Sequence, residues 1–210
     1  MQTKRRPSRR WWPRFSVNMS DAADSPARRI ARRIRVSREV TLRAPAEEDA
    51  VAIYRTVDAN RERLRKWLPW LDQNASVDDS RAFVENCTRA RLAQESATWL
   101  IDYKGQLAGV ISINDLKWQN RACEIGYWIA IDFEGKGVMS ACVTALVDFA
   151  FTELALHRIE IRVALNNQRS RAIPERLGFT DEGTTRDSEW LYDHFESLVI
   201  YSLLSTDARA

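Results

Sequence analysis

Two rhythms of apolar residues run along this chain, one of period two and one of helical spacing. Val40-Thr41-Leu42-Arg43 alternates apolar and polar positions, as a half-buried strand does. Between Glu47 and Ala59, Ala50, Ile53, Tyr54 and Val57 stand at helical spacing behind an acidic first turn, which predicts a helix. Asn60–Trp70 continues as a second helix or helical turn that stops at Pro69, and Val77–Gln94 is a further amphipathic helix. Trp99–Tyr103 and Gln106–Ile113 flank Lys104-Gly105 and form a hairpin, with Glu124–Ile131 next in the meander. The second half alternates: helix Val138–Leu154, strand Arg158–Leu165, helix Ser170–Leu177 stopped at Gly178, then strands Phe179–Thr185 and Phe195–Leu203. The pattern predicts one α/β (α+β) domain. Its mixed, mostly antiparallel sheet is flanked by helices, with a strand–turn–helix–strand unit at the centre.

Residues 1–38 show neither rhythm. They hold twelve Lys/Arg against two Asp, a local charge of +10, while the remaining 20 basic and 27 acidic residues leave the body at −7. The expected organisation is a basic, disordered arm over 1–38, a folded domain over 39–205 and a short tail over 206–210. Ala27–Arg35 could form a short basic helix within the arm, and Met19 competes with Met1 as the start. Arg9-Arg10 is not followed by the apolar stretch of roughly 7–15 residues that an export signal needs. No apolar run approaches the roughly 18 residues that would suggest a membrane span. Cys87, Cys123 and Cys142 lack metal-ligand spacing, and with two histidines no metal cofactor is expected. These features fit a cytoplasmic enzyme without membrane contact; a homodimer is left open. The acidic body favours a cationic substrate, and the arm suits RNA or a ribosome.

The chemistry concentrates between Glu124 and Phe179. An apolar strand runs into Asp132-Phe133-Glu134-Gly135-Lys136-Gly137, and an apolar helix begins at Val138. A glycine-bearing turn feeding a helix exposes backbone N–H groups at the positive end of a helix dipole, so it suits a phosphorylated ligand. Gly135-x-Gly137 lacks the Lys-Ser/Thr ending of a nucleotide-triphosphate loop and the third glycine of a dinucleotide fingerprint. A short loop cradling a pyrophosphate, with Lys136 nearby, remains beside the plainer reading of an ordinary strand-to-helix turn.

Four blocks decide between those readings: Glu124-Ile125-Gly126-Tyr127-Trp128-Ile129, Glu134-Gly135-Lys136-Gly137, Asn167-Gln168-Arg169-Ser170 and Gly178-Phe179. In order and spacing they resemble the GNAT N-acetyltransferases. Arg61–Trp70 is similar to the N-terminal helical signature of the RimJ/RimL branch, which acetylates the N-termini of ribosomal proteins. The resemblance covers roughly Glu39–Leu204 and implies acetyl-coenzyme A as cosubstrate. It implies a pyrophosphate on the backbone of Glu134, Gly135, Lys136, Gly137 and Val138. The pantetheine would lie along Trp128, Ile129 and Ile131, with Asn167 and Ser170 also on the cofactor side.

The same resemblance assigns the catalytic groups. Many GNAT enzymes carry a tyrosine four residues after the Ser170 position to protonate the leaving thiolate; here that position is Pro174. Ser170 takes the role by resemblance to the ribosomal-protein branch, with a helix N-cap as its plainer reading. Glu189 corresponds to a glutamate of that branch that deprotonates the amine, and Trp190 beside it would supply dry surroundings. Its plainer reading is a surface acid. Glu124 and Glu134 are rival bases, Glu134 being misplaced in the phosphate loop. A backbone N–H of a bulged strand near Ile129 would polarise the thioester carbonyl. Trp67, Trp70 and Trp190, with Trp118 as a further candidate, are expected to wall the acceptor slot. His157 reads as a helix-end cation and Cys142 as a buried residue. The expected reaction is direct transfer of acetyl to a primary amine, a (ribosomal) protein N-terminus before all. The alternatives are a small amine (polyamine, amino acid or antibiotic) and a non-catalytic module that senses acetyl-CoA.

Overall fold

In the computed structural model, which describes residues 30–207, the period-two stretches assemble into one sheet. Its strands are β1 (Arg33–Arg35), β2 (Val40–Arg43), β3 (Ala97–Tyr103), β4 (Gln106–Lys117), β5 (Ala122–Ile129), β6 (Arg158–Ala164), β7 (Thr180–Leu191) and β8 (His194–Leu204). They lie in the order β1-β2-β3-β4-β5-β6-β8-β7. The helices are α1 (Ala50–Ala59), α2 (Arg61–Arg65), α3 (Val77–Leu92), α4 (Val138–Thr152) and α5 (Gln168–Arg176). Every neighbouring pair of strands is antiparallel except β5 and β6, which α4 connects. That pair runs through only Ala122↔Arg158, Cys123↔Ile159 and Glu124↔Glu160. Beyond Glu124 the two strands separate, and the middle of the sheet opens as a fork.

Alternation along the central strands feeds two cores. On one face Trp99 and Ile101 of β3 and Ile111 and Ile113 of β4 meet Cys142, Val143, Leu146 and Ala150 of α4. On the other, Leu100 and Val110 meet Ile53 and Val57 of α1, Leu64 of α2 and Val84 of α3. Each such aliphatic side chain contributes roughly 1.5–3 kcal/mol on full burial, so both helical layers are held by the same strands. Ser76 caps helix α3: its hydroxyl accepts the Asp79 N–H (3.2 Å).

The structure moves several expected boundaries. Order begins before Glu39: Ile30 is buried, and Arg33–Arg35 pairs with β2 as an edge strand, not as part of a helix. Ala31 explains why. Its carbonyl accepts from the indole of fully buried Trp99 (3.0 Å) and from Arg91 (2.8 Å), which pins this segment to the body. Residues 1–29, most of the basic arm, lie outside the described residues. Strand β7 runs past Thr185 to Leu191, its pairing with β8 broken between Thr185 and Glu189. Helix α5 starts at Gln168 with Asn167 as its cap: the Asn167 Oδ1 accepts the Ser170 N–H (3.2 Å), so Ser170 lies in the first turn and is not the cap. The bulge expected near Ile129 is absent. Register holds from Gly109↔Ile129 to Asn114↔Glu124 and shifts only between Asn114 and Lys117. Gly109 permits that close pairing, because a Cβ there would sit 2.3 Å from the Trp128 carbonyl oxygen.

Candidate active site

The fork between β5 and β6 opens into a cleft of about 1970 Å³. Small-molecule pockets commonly occupy roughly 300–1,000 Å³, so this cleft has room for two ligands. One mouth is the start of α4. Gly135 (φ 72°) and Gly137 (φ 73°) both take left-handed backbone, which an L side chain resists. Gly137 caps α4 without a side-chain hydrogen bond, and a Cβ at either glycine would enter open space. The helix thus starts with first-turn N–H groups that have no intrahelical partner, at the positive end of its dipole. Val138, Met139 and Ser140 of that turn line the cleft. This is the chemistry of an anion cradle.

Glu134 organises the edge of the cradle. Its two carboxylate oxygens accept from Arg63 (2.5 Å) and Arg169 (2.6 Å), two guanidinium groups on one carboxylate. Arg63 also donates to the Ile129 carbonyl and to Asn60 Oδ1, and that same oxygen accepts the Ile131 N–H (2.9 Å). Residues of the first helical layer thereby fix the end of β5. On β5 itself, the Ala130 N–H bonds back to Ala108 on the β4 side (2.8 Å). By strand alternation, the N–H groups of Ile129 and Tyr127 face the fork. The other side of the fork brings Asn167, the cap of α5, and Ser170 of its first turn to the same cleft. The Ser170 hydroxyl lies 3.4 Å from the Tyr127 hydroxyl.

The opposite mouth is aromatic and acidic. Trp67, Trp70, Phe83 and Trp128 line it together with Glu124 and Glu189. Burial raises the Glu124 carboxyl above its ordinary value, with Arg162 (3.3 Å) opposing the shift. Burial also raises Glu189, and its cross-strand neighbour Glu196 adds to the effect. The hairpin of β7 and β8 closes over this mouth. At its tip the Tyr192 hydroxyl donates to the Leu68 carbonyl (2.6 Å) and accepts the Leu71 N–H (3.1 Å), while Arg65 stacks on its ring at 3.7 Å.

Comparison with known proteins decides what an anion cradle joined to an acidic slot belongs to. The acetyltransferase (GNAT) domain profile matches residues 39–180. The chain belongs to the GNAT acetyltransferases. Over 82% of its length it is 38% identical to YdaF of Bacillus subtilis (strain 168), covering 95% of that protein, which is provisionally named a ribosomal N-acetyltransferase. It is 28% identical to the ribosomal-protein-serine acetyltransferase of Escherichia coli (strain K12), over 80% of this chain and 94% of that one. Among solved structures, RimL, a ribosomal alpha-N-protein acetyltransferase in complex with coenzyme A, superposes with a TM-score of 0.79 at 29% identity. That superposition covers 82% of this chain and 97% of RimL. These relatives place the chain in the RimJ/RimL-type branch of the GNAT family.

Within this GNAT fold, Trp128, Ile129, Glu134, Gly135, Gly137, Val138, Asn167, Ser170, Glu189, Trp67 and Trp70 all lie on the one cleft. Ile131 and Lys136 do not line it: Ile131 is half exposed, and the Lys136 amine sits 5.3 Å from the Phe133 ring centre. Trp190 also lies outside it. Neighbouring strand residues point to opposite faces, so Glu189 enters the cleft while Trp190 stays 53% exposed against Phe195. The dry surroundings of Glu189 therefore come from the cleft and not from Trp190. Trp118 donates to the Gln94 carbonyl (2.9 Å) and packs on the α4-side core. Glu134 is committed to its two arginines, and Asp79, which also lines the cleft, accepts from Ser76 and Ala75; Glu124 and Glu189 are the cleft carboxylates that burial raises. Cys142 is buried with its thiol pushed up to about 12, and His157 bonds Ser205 (3.0 Å). Among the described residues, no group of three or more His, Cys, Asp or Glu is arranged to hold a metal ion. Sequence reasoning did not single out Arg63, which lines the cleft, or Asn60 and Tyr192, which brace the segments around it. Asn60 and the Arg61–Trp70 signature were visible, but their partners lie about 70 to 120 positions away.

Proposed function

We propose that this GNAT enzyme moves acetyl from acetyl-coenzyme A to the α-amino group of a protein N-terminus, a ribosomal protein before others. The observation that carries the reading is the single cleft with two unlike ends: an uncapped helix start at one, two pKa-raised carboxylates among tryptophans at the other. The first suits a coenzyme A pyrophosphate, the second an ammonium group that must lose a proton before it can attack. Similarity to ribosomal-protein acetyltransferases over 80–82% of the chain supports the acceptor class.

In the proposed direct mechanism, Glu189 accepts a proton from the bound ammonium, through water or directly. The freed amine attacks the thioester carbonyl. The Ile129 N–H, which faces the fork, donates to the carbonyl oxygen as charge develops on it. The Ser170 hydroxyl assists the departing thiolate. Gly135, Gly137 and the first turn of α4 hold the pyrophosphate, with Arg63 and Arg169 beside them. The C–S bond breaks as the C–N bond forms; the second proton of the attacking nitrogen passes to the thiolate by way of the Ser170 hydroxyl, and coenzyme A leaves as the thiol. The basic segment over residues 1–29 is proposed to dock on RNA-rich partners such as a ribosome. The test presents acetyl-CoA with N-terminal peptides of ribosomal proteins and with a panel of polyamines, amino acids and aminoglycosides, read by intact mass. Acetylated peptides support the assignment. Turnover confined to a small amine would overturn the acceptor class while leaving the chemistry.

A further inference from the structure

Pro174 sits inside α5, four residues after Ser170. In an α-helix the N–H of residue i+4 bonds the carbonyl of residue i. Proline has no N–H, and its ring crowds that carbonyl. The Ser170 carbonyl has therefore lost its normal helical partner. The Tyr127 hydroxyl is the group that meets it, donating at 3.2 Å. The same phenol oxygen lies within 3.4 Å of the Ser170 hydroxyl, which donates to it. Tyr127 stands on β5 beyond Glu124, where β5 and β6 have already parted. Its hydrogen bond is thus a bridge across the open fork, from one wall of the cleft to the other.

We infer that Tyr127 is a positioning residue for Ser170, supplying from β5 the hydrogen bond that Pro174 removes from the helix. This rests on the reading of Ser170 as the group that meets the thiolate. The ring packs against the α4-side core, so the hydroxyl is held in place and not free to swing. Burial pushes the phenol up to about 12, which keeps it protonated, and able to donate, across the physiological range. Other anchors secure α5 farther along: Tyr201 donates to Glu175 (2.6 Å) and accepts from Arg171 (2.9 Å). They hold the body of the helix. The Tyr127 hydroxyl ties its first turn to β5.

The test is a cycle of four full-length proteins: wild type, Tyr127→Phe, Pro174→Ala and the double variant. Phenylalanine keeps the ring and removes the donor. Pro174→Ala restores an N–H that can bond the Ser170 carbonyl within the helix. Tyr127→Phe should lower kcat by roughly 10- to 100-fold, the scale of a small misplacement of a reacting group. Its KM for acetyl-CoA should stay within about twofold, since the α4 cradle is untouched. Pro174→Ala should keep near wild-type kcat, and the double variant should recover most of the loss. A Tyr127→Phe enzyme with wild-type kcat would overturn the inference. So would a loss that persists in the Pro174→Ala background, which would make the phenol act by another route. Ser170→Ala is measured alongside. If it turns over normally, the thiolate role fails on its own account. The bridge is then still read from melting, because Ser170→Ala keeps the carbonyl that Tyr127 meets: Tyr127→Phe should lower the melting temperature and Pro174→Ala should restore it. Absence of that restoration removes the bridge itself.

Discussion

Gly137 offers the sharpest test of the anion cradle, because strain and ligand contact can be separated there. Its backbone lies at φ 73°, ψ 0°, and nothing stands within 4 Å of where a Cβ would go. Gly137→Ala therefore meets no clash in the protein. Its cost is the left-handed conformation, about 1–2 kcal/mol for an L residue. Against a typical stability of roughly 5–15 kcal/mol, the domain stays folded. The new methyl group occupies space at the start of α4, where the first-turn N–H groups would meet a pyrophosphate. Losing or lengthening one charge-assisted hydrogen bond costs about 1.5–3 kcal/mol, or roughly 10- to 150-fold in affinity. Gly137→Val should do the same with more strain, its side chain being β-branched. Gly105 is the internal control. It sits at φ 80° in the β3–β4 turn, also with open space around a Cβ, and does not line the cleft. Gly105→Ala should lower the melting temperature about as much as Gly137→Ala and leave acetyl-CoA affinity alone. The assay is calorimetric titration with acetyl-CoA beside a melting curve for each variant. A folded Gly137 variant that binds acetyl-CoA as wild type does would refute the cradle.

Further outcomes are expected at Glu189, at Ser170 and at the N-terminal segment. Glu189→Gln should lose on the order of 100-fold in kcat with little change in acetyl-CoA affinity, and the defect should ease as pH rises and free amine accumulates; near-wild-type turnover at neutral pH would pass the role to Glu124 or an ordered water. The Glu189 carboxyl is raised in the folded state, so the stability tied to its proton is present in acid and lost as pH climbs through that raised value. Glu189→Gln should consequently melt above wild type at neutral pH, the gap closing below about pH 4.3. Ser170→Ala should slow turnover without rescue by alkaline pH, which a pH–rate series on both variants would read. A chain beginning at Ile30 should fold and turn over a short peptide normally. One beginning at Glu39 loses the Ala31 carbonyl and orphans donors of Trp99 and Arg91, at about 1–3 kcal/mol for each unsatisfied group. Ribosome binding by the full chain should exceed that of the Ile30 chain at low salt, and the difference should fade as salt rises; equal binding would end the docking idea.

What could be read from the sequence follows local rules. Alternation in Val40–Arg43, helical spacing around Ile53 and Val57, the Lys104-Gly105 turn and the Gly135-x-Gly137 helix start depend on neighbours a few positions away, and the structure keeps each of them. Site residues quoted from motif order, such as Asn167, Ser170 and Glu189, fall on one cleft because β5, α5 and β7 sit where that order implied. Tertiary structure decided the rest. Arg33–Arg35 is too short to show a period and becomes a strand by pairing with β2, next to an Ala31 carbonyl held by Trp99 and Arg91. Whether Glu189 or Trp190 enters the cleft depends on the face that β7 turns inward, which its irregular pairing with β8 sets. The commitment of Glu134 to Arg63 and Arg169 joins segments 71 and 35 positions apart. The Tyr127–Ser170 contact spans 43. Chain order alone carries no distance between such groups; only the packing of two helical layers on a forked sheet brings them together.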